Sequence, residues 1–170
     1  MNTDSKLVTT RNRALVGLFA VSLIGAGITL TASSALADNK TYSGSTCVAN
    51  SDDIHHAQSK SENESTTNVR GVFCPVVRDN MWTGLNPSKV QVIDQNFDNA
   101  VKCTLSSRDK DGSQYDYDTE QSSGTSPSVQ ELTFSALSSL INGHYTLYCT
   151  IPPVFSGERS AVVSYFISEA

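Results

Sequence analysis

Four cysteines, three histidines, one acidic segment and a lone tryptophan are the groups in this 170-residue sequence whose types and spacing could do chemistry. Cys47, Cys74, Cys103 and Cys149 lie tens of residues apart. They form no C-x₂-C pair, the unit from which tetrahedral zinc sites and thioredoxin-like redox centres are built. Histidine is limited to His55, His56 and His144. Adjacent side chains diverge in an extended chain, so His55 and His56 could share a metal only in a bent loop with help from Asp52 or Asp53. His144 follows Asn142-Gly143, an ordinary place for a turn histidine.

The run from Asp109 to Glu120 comes nearest to a metal motif. Asp109, Asp111, Ser113 and Glu120 fall at positions 1, 3, 5 and 12 of a calcium loop. The sixth position, where such a loop needs glycine, is Gln114, and the flanks read as strands instead of helices. The competing reading is a hairpin turning at Asp111-Gly112, with Tyr115 and Tyr117 on one face of the next strand and Asp116 and Asp118 on the other. For a hydrolase, the G-x-S-x-G trace of a serine elbow is missing; Gly124-Thr125-Ser126-Pro127-Ser128 lacks its last glycine. Between two strand-like runs, Arg78, Asp79 and Trp82 form a candidate ligand contact, since an exposed indole beside polar groups can stack on a sugar or a partner. The alternative is that Trp82 caps one end of the core while Arg78 and Asp79 pair locally.

The elements that must position these residues begin after an export signal. Lys6, Arg11 and Arg13 precede an uncharged apolar stretch, Ala14 to Leu30, and then small residues with Ala35 and Ala37 as an A-x-A pair. Residues 1–37 therefore read as a signal peptide, cleaved before Asp38. As a helix the apolar stretch reaches only about 25 Å, short of the ~30 Å hydrocarbon layer, so no stable membrane span is expected after cleavage. Export brings the cysteines into an oxidising compartment, where an even count reads as two disulfides and the location as secreted or periplasmic.

Residues 38–170 suffice for one domain. The whole chain has a net charge of −5, and removing the signal peptide makes it more acidic, which with no basic cluster excludes nucleic acid as a partner. Only 38% of the chain is apolar, and the export segment takes a share of that, so the core must be thin. Residues 50–68 hold Ile54 and Ala57 as their only apolar side chains and read as a long polar loop.

Beyond that loop, β-branched and aromatic runs alternate with turn signals. The strands are expected at Val69 to Val77, Val90 to Phe97, Val101 to Ser107, Gln114 to Asp118, Val129 to Ser135, Tyr145 to Ile151 and Ala161 to Ser168, with an eighth around Cys47. Leu132 to Ile141 competes briefly as a helix through Leu137, Leu140 and Ile141. The fold expected is all-β, an antiparallel β-sandwich of about seven to eight short strands held by two disulfides.

Cys103 shares a strand face with Val101 and Leu105, and Cys149 shares one with Leu147 and Ile151. Both point into the core, which pairs Cys103 with Cys149 and leaves Cys47 with Cys74.

The segments Cys74-Pro75-Val76-Val77-Arg78-Asp79-Asn80, Val101-Lys102-Cys103-Thr104-Leu105, Tyr145 to Pro152 and Ser164 to Glu169 resemble a group of secreted proteins from Gram-negative bacteria that has no assigned activity. The resemblance implies export and a β domain, and carries over no site residue. The functional reading is an exported non-enzymatic β-sandwich that acts through its surface, with a glycan or envelope component as partner and no cofactor. The alternative is a small secreted hydrolase or an inhibitor of one.

Overall fold

The computed structural model describes residues 39–170; the proposed signal peptide lies outside the described residues. Among the described residues, eleven strands follow one another. The first four are short: β1 (Lys40–Ser43), β2 (Val48–Ala49), β3 (Ile54–Ala57) and β4 (Lys60–Asn63), with one 3₁₀ turn at Gly44–Thr46. Then come β5 (Arg70–Pro75), β6 (Lys89–Asp94), β7 (Lys102–Arg108) and β8 (Gln114–Gln121). The last three are β9 (Ser126–Thr133), β10 (His144–Ile151) and β11 (Ala161–Ile167).

These strands form two antiparallel sheets. One runs β3-β4-β11-β6-β9, with β1 also on β11, and the other runs β2-β5-β10-β7-β8. Both have only the alternation of their side chains to separate inside from outside. Val90, Val92, Leu132, Val162, Tyr165 and Ile167 from the first sheet are buried against Val72, Leu105, Leu147 and Ile151 from the second. The architecture is the all-β sandwich that the sequence predicts, with eleven strands in place of seven or eight. The difference lies at the N-terminus, where the run around Cys47 becomes two short strands and the polar segment becomes two more. No helix forms at Leu132 to Ile141: β9 ends at Thr133, and Phe134 and Leu137 are buried singly from an irregular stretch.

The reading of residues 50–68 as a loop is wrong over its central part. Gln58 and Ser59, both at positive φ (48° and 68°), turn β3 back onto β4, and β4 joins β11 at Glu62↔Ala161 and Ser61↔Val162. Hydropathy misses the hairpin because two of its inward positions carry small polar side chains, Ser61 and Asn63, both fully buried. Each replaces a water contact by a backbone one. Ser61 Oγ donates to Gly44 O at 2.7 Å, and Asn63 Nδ2 donates to Ile151 O at 2.8 Å and Pro152 O at 3.0 Å.

Both disulfides lie within the second sheet. Cys103 and Cys149 stand directly opposite each other on β7 and β10, and Cys47 joins Cys74 one step beyond the Val48↔Phe73 pair of β2 and β5. All four cysteines are buried, Cys103 and Cys149 completely. Loop-closure entropy alone makes the two bridges nearly equal, about 3.5–4 kcal/mol each. Replacing Cys103 and Cys149 by alanine also leaves voids at the centre of the sheet. Calorimetric melts of the two double-alanine variants should therefore show the larger loss for Cys103/Cys149, by about 1–2 kcal/mol. Equal losses would mean that this bridge has no packing role.

Candidate functional site

Because successive residues of a strand face opposite ways, the inward set of the second sheet dictates its outward set. With Cys103 and Leu105 in the core, β7 turns Lys102, Thr104, Ser106 and Arg108 to the other face. Its neighbours extend that face in register. One row runs Val48, Phe73, Tyr148, Thr104 and Thr119; the next runs Pro75, Thr146, Ser106 and Tyr117.

Aromatic rings flank a floor of hydroxyls. Phe73 and Tyr148 form one bank, their ring centroids 4.6 Å apart at a tilt of 41°. Tyr148 lies low across β5 because Gly71 has no side chain: a Cβ there would come within 2.2 Å of the tyrosine hydroxyl. Tyr117 forms the opposite bank, 58% exposed against 53% for Phe73. Their strands are three spacings apart, about 14 Å. On the floor, Thr104 bonds Thr119 at 2.9 Å and Ser106 bonds Thr146 at 3.3 Å. Arg108 lies along its end, Nε donating to Thr146 Oγ1 at 3.2 Å and Nη1 to Gly112 O at 2.9 Å. A trough of about 370 Å³ follows this floor beside Phe73 and Tyr148. Its lining offers the ring faces of Phe73 and Tyr148 along one side and hydroxyl and guanidinium groups beside them, with Tyr117 further out on the same face next to Ser106 in register, a surface suited to a ligand that is itself apolar on its faces and polar at its edges.

A second concavity of about 340 Å³ lies on the outer face of the other sheet. There the polar groups are already matched, Lys89 with Glu131 at 2.7 Å and Ser164 Oγ with Gln91 Oε1 at 2.9 Å.

The residues singled out from the sequence fare differently. Trp82 is 72% exposed and caps nothing. Arg78 does not pair with Asp79. Its guanidinium donates to Asn80 O, Met81 O, Leu140 O, Gly143 O and Ser139 Oγ at 2.6–2.9 Å and lies 5.3 Å from the Tyr145 ring centre, so it is a clamp on two loops and is not free for a ligand. Burial pushes the Tyr145 hydroxyl above its usual range, against the opposing effects of Ser139 and Arg78. Asp79 pairs with Lys40 instead. The candidate contact of Arg78, Asp79 and Trp82 is therefore split: Arg78 is tied to the loops, Asp79 is exposed but paired with Lys40, and the indole stands in solvent.

The calcium candidates are not brought together. Asp109 and Asp111 accept from the backbone of their own hairpin turn, at Lys110 N (2.6 Å) and Ser113 N (2.8 Å), with Gly112 at φ 85°. Glu120 sits opposite Cys103, at the far end of β8 from Gln114, which faces Arg108. The two residues are six positions apart along the strand, about 20 Å. Among the described residues no group of three or more His, Cys, Asp or Glu is placed to hold a metal. His55 and His56 alternate along β3, with His56 Nδ1 on Ser61 Oγ at 2.9 Å, while Asp53 pairs with Arg70. His144 is exposed at the start of β10, opposite Arg108. None of the described hydrogen bonds joins it to a serine or a carboxylate.

Sequence reading picked out the inward face of β10 and missed the outward one. The aromatic alternates Phe73, Tyr117 and Tyr148 were visible within their strands; that β5, β10, β7 and β8 lie side by side was not.

No family model and no curated protein sequence matches the chain. Solved structures of similar form include a low-affinity xylan-binding module from Roseburia intestinalis, at 15% identity over 78% of this chain and 96% of that one, with a TM-score of 0.48. A carbohydrate-binding module of family CBM36 in complex with calcium and xylotriose is 11% identical over 77% and 99% of the two chains, with a TM-score of 0.43. A CBM36-1 domain of a multidomain xylanase from the Trinervitermes trinervoides hindgut metagenome is 10% identical over 78% and 97%, with a TM-score of 0.46.

Two expectations follow from this geometry. Millimolar calcium should leave the melting temperature unchanged, because a ligand stabilises the folded state only where a site exists to hold it. A rise that vanishes in Asp109→Ala would show the turn rearranging around the ion. Asp118 is different: its carboxylate accepts from Ser135 Oγ and Ser135 N, both at 2.7 Å, and these bonds hold its pKa below the usual carboxylate range. A depressed carboxyl stabilises the fold fully above its unfolded value of about 3.9, and that contribution is lost as the pH falls through the lower, folded value. Melts of the native protein and Asp118→Ala should differ by about 1 kcal/mol at pH 7 and converge towards pH 3. A constant gap across that range would contradict the assignment.

Proposed function

We propose that this chain is an exported, non-enzymatic binding module that takes a glycan on the outer face of its five-stranded sheet. One observation carries the reading: exposed aromatic rings, Phe73 with Tyr148 on one side and Tyr117 on the other, flank a floor of threonine and serine hydroxyls. Sugar rings have the complementary character, with C–H groups on their faces for the aromatics and hydroxyls at their rims for the floor. Large apolar side chains left in the open contribute nothing to the core, and grouped on one face they mark a contact surface. The two disulfides fit folding outside the cytoplasm.

Binding of the purified chain to a panel of soluble polysaccharides, followed by affinity electrophoresis and then calorimetry, tests the reading. Tyr117→Ala and Phe73→Ala should each weaken binding about tenfold, the size of one lost ring contact, with melting temperatures within about 2 °C of the parent. Failure to bind any polysaccharide, or binding that neither substitution affects, would overturn it.

A further inference from the structure

Charge is unevenly shared between the two sides of β7 and β8. Asp116, Asp118 and Glu120 stand opposite Ser107, Leu105 and Cys103, on the inward side of the ladder. Asp116 and Asp118 are occupied there by Ser138 N and Ser135. The outward positions of β2, β5, β7, β8 and β10 hold no aspartate or glutamate, yet they hold Lys102, Arg108 and His144. Both acids of the adjoining turn, Asp109 and Asp111, accept from their own backbone. In a chain of net charge −5, the strand positions of this face thus carry Lys102 and Arg108 and no carboxylate, the nearest acids in sequence being Asp109 and Asp111 in the turn. Arg108 lines the trough itself, while Lys102 is exposed at the other end of β7 with no carboxylate within ion-pair distance among the described residues.

Resting on the glycan reading above, we infer that the ligand is an acidic polysaccharide of the uronic acid type, its carboxylates meeting Arg108 and Lys102 while its rings lie on Phe73, Tyr148 and Tyr117. The small number of cations favours this class over a nucleic acid. The strands of this face carry Arg108 and Lys102, about 20 Å apart on β7, whereas nucleic-acid affinity is built from many phosphate contacts along a basic surface. Sparse cations among ring-stacking positions match a polymer in which sugar contacts supply most of the affinity and carboxylates supply selectivity.

Polygalacturonate and its fully methyl-esterified form share a backbone and differ in charge, so they isolate the inference. The full chain should bind the acid about tenfold more tightly at low salt, and the advantage should shrink towards unity near 1 M salt, where screening acts within ~3 Å. Lys102→Gln should cost the acid about threefold to fivefold, the scale of one exposed charge contact, and leave the ester unchanged. Arg108→Gln should weaken both forms, the acid more than the ester, because Arg108 also lines the trough and holds Gly112 O, so the Lys102 variant decides the inference. Equal binding of acid and ester, equal losses for both in Lys102→Gln, or oligothymidylate bound as tightly as polygalacturonate would each overturn the inference. If neutral polysaccharides bind and polygalacturonate does not, the acidic class fails and the glycan reading stands; if no polysaccharide binds, the glycan reading itself fails.

Discussion

Alternation along the central strands ties the outer surface of this protein to its core. Once Cys103 and Leu105 turn inward on β7, and Tyr145, Leu147, Cys149 and Ile151 turn inward on β10, their neighbours have no choice of side. A slip of one residue would exchange the two sets, burying Lys102, Thr104 and Tyr148 and exposing the core. The Cys103–Cys149 bridge forbids that slip, because it joins residues directly opposite one another. It therefore acts on the trough as well as on stability: Tyr148 stays beside Thr104, and Thr146 beside Ser106. The irregularity between Ser107 and Arg108 falls at the end of that register, where Arg108 turns along the floor.

A core this thin leaves the ends of the sandwich short of apolar cover, and buried polar side chains close them. Asp94 accepts from Asn96 N, Ser122 Oγ and Ser160 Oγ, gathering three connections at one end. At the other, Glu169 accepts from Asp79 N and Asn80 N at 2.9 and 3.0 Å, and Arg78 holds the same loop to the turn before β10. Each bond nets only about 1 kcal/mol, but a buried partner left unpaired would lose more, so these residues fix loop geometry more than they add stability.

On the outer face, the same alternation gathers aromatic, hydroxyl and basic side chains that the core does not need. Folding depends little on the exposed rings of Phe73 and Tyr117, which leaves them available to a ligand. Gly71 is the exception, since the low position of Tyr148 requires a residue without a Cβ beneath it. Fold and surface are separable at most positions here and inseparable at that one.

Local pattern in the sequence determined the all-β class, the seven longer strands to within a few residues, the hairpin turn at Asp111-Gly112 and the inward facing of Cys103 and Cys149. Period-two hydropathy and turn residues are properties of short segments, and they survive in any context that buries one face. The β3–β4 hairpin was hidden, because Ser61 and Asn63 are buried by hydrogen bonds to Gly44, Ile151 and Pro152, partners far away in the chain. The trough was hidden for a related reason. Phe73, Tyr117 and Tyr148 belong to three separate strands, and only the order β5-β10-β7-β8 brings them onto one surface. Arg78 could be picked out by its neighbours in sequence, but its role is set by Leu140, Gly143 and Tyr145, more than sixty residues on. The sequence by itself determined which side of each strand faces in, because that is a local balance of apolar and polar side chains. Tertiary structure alone decided which outward sides become neighbours, because strand order is a long-range choice that no local period records.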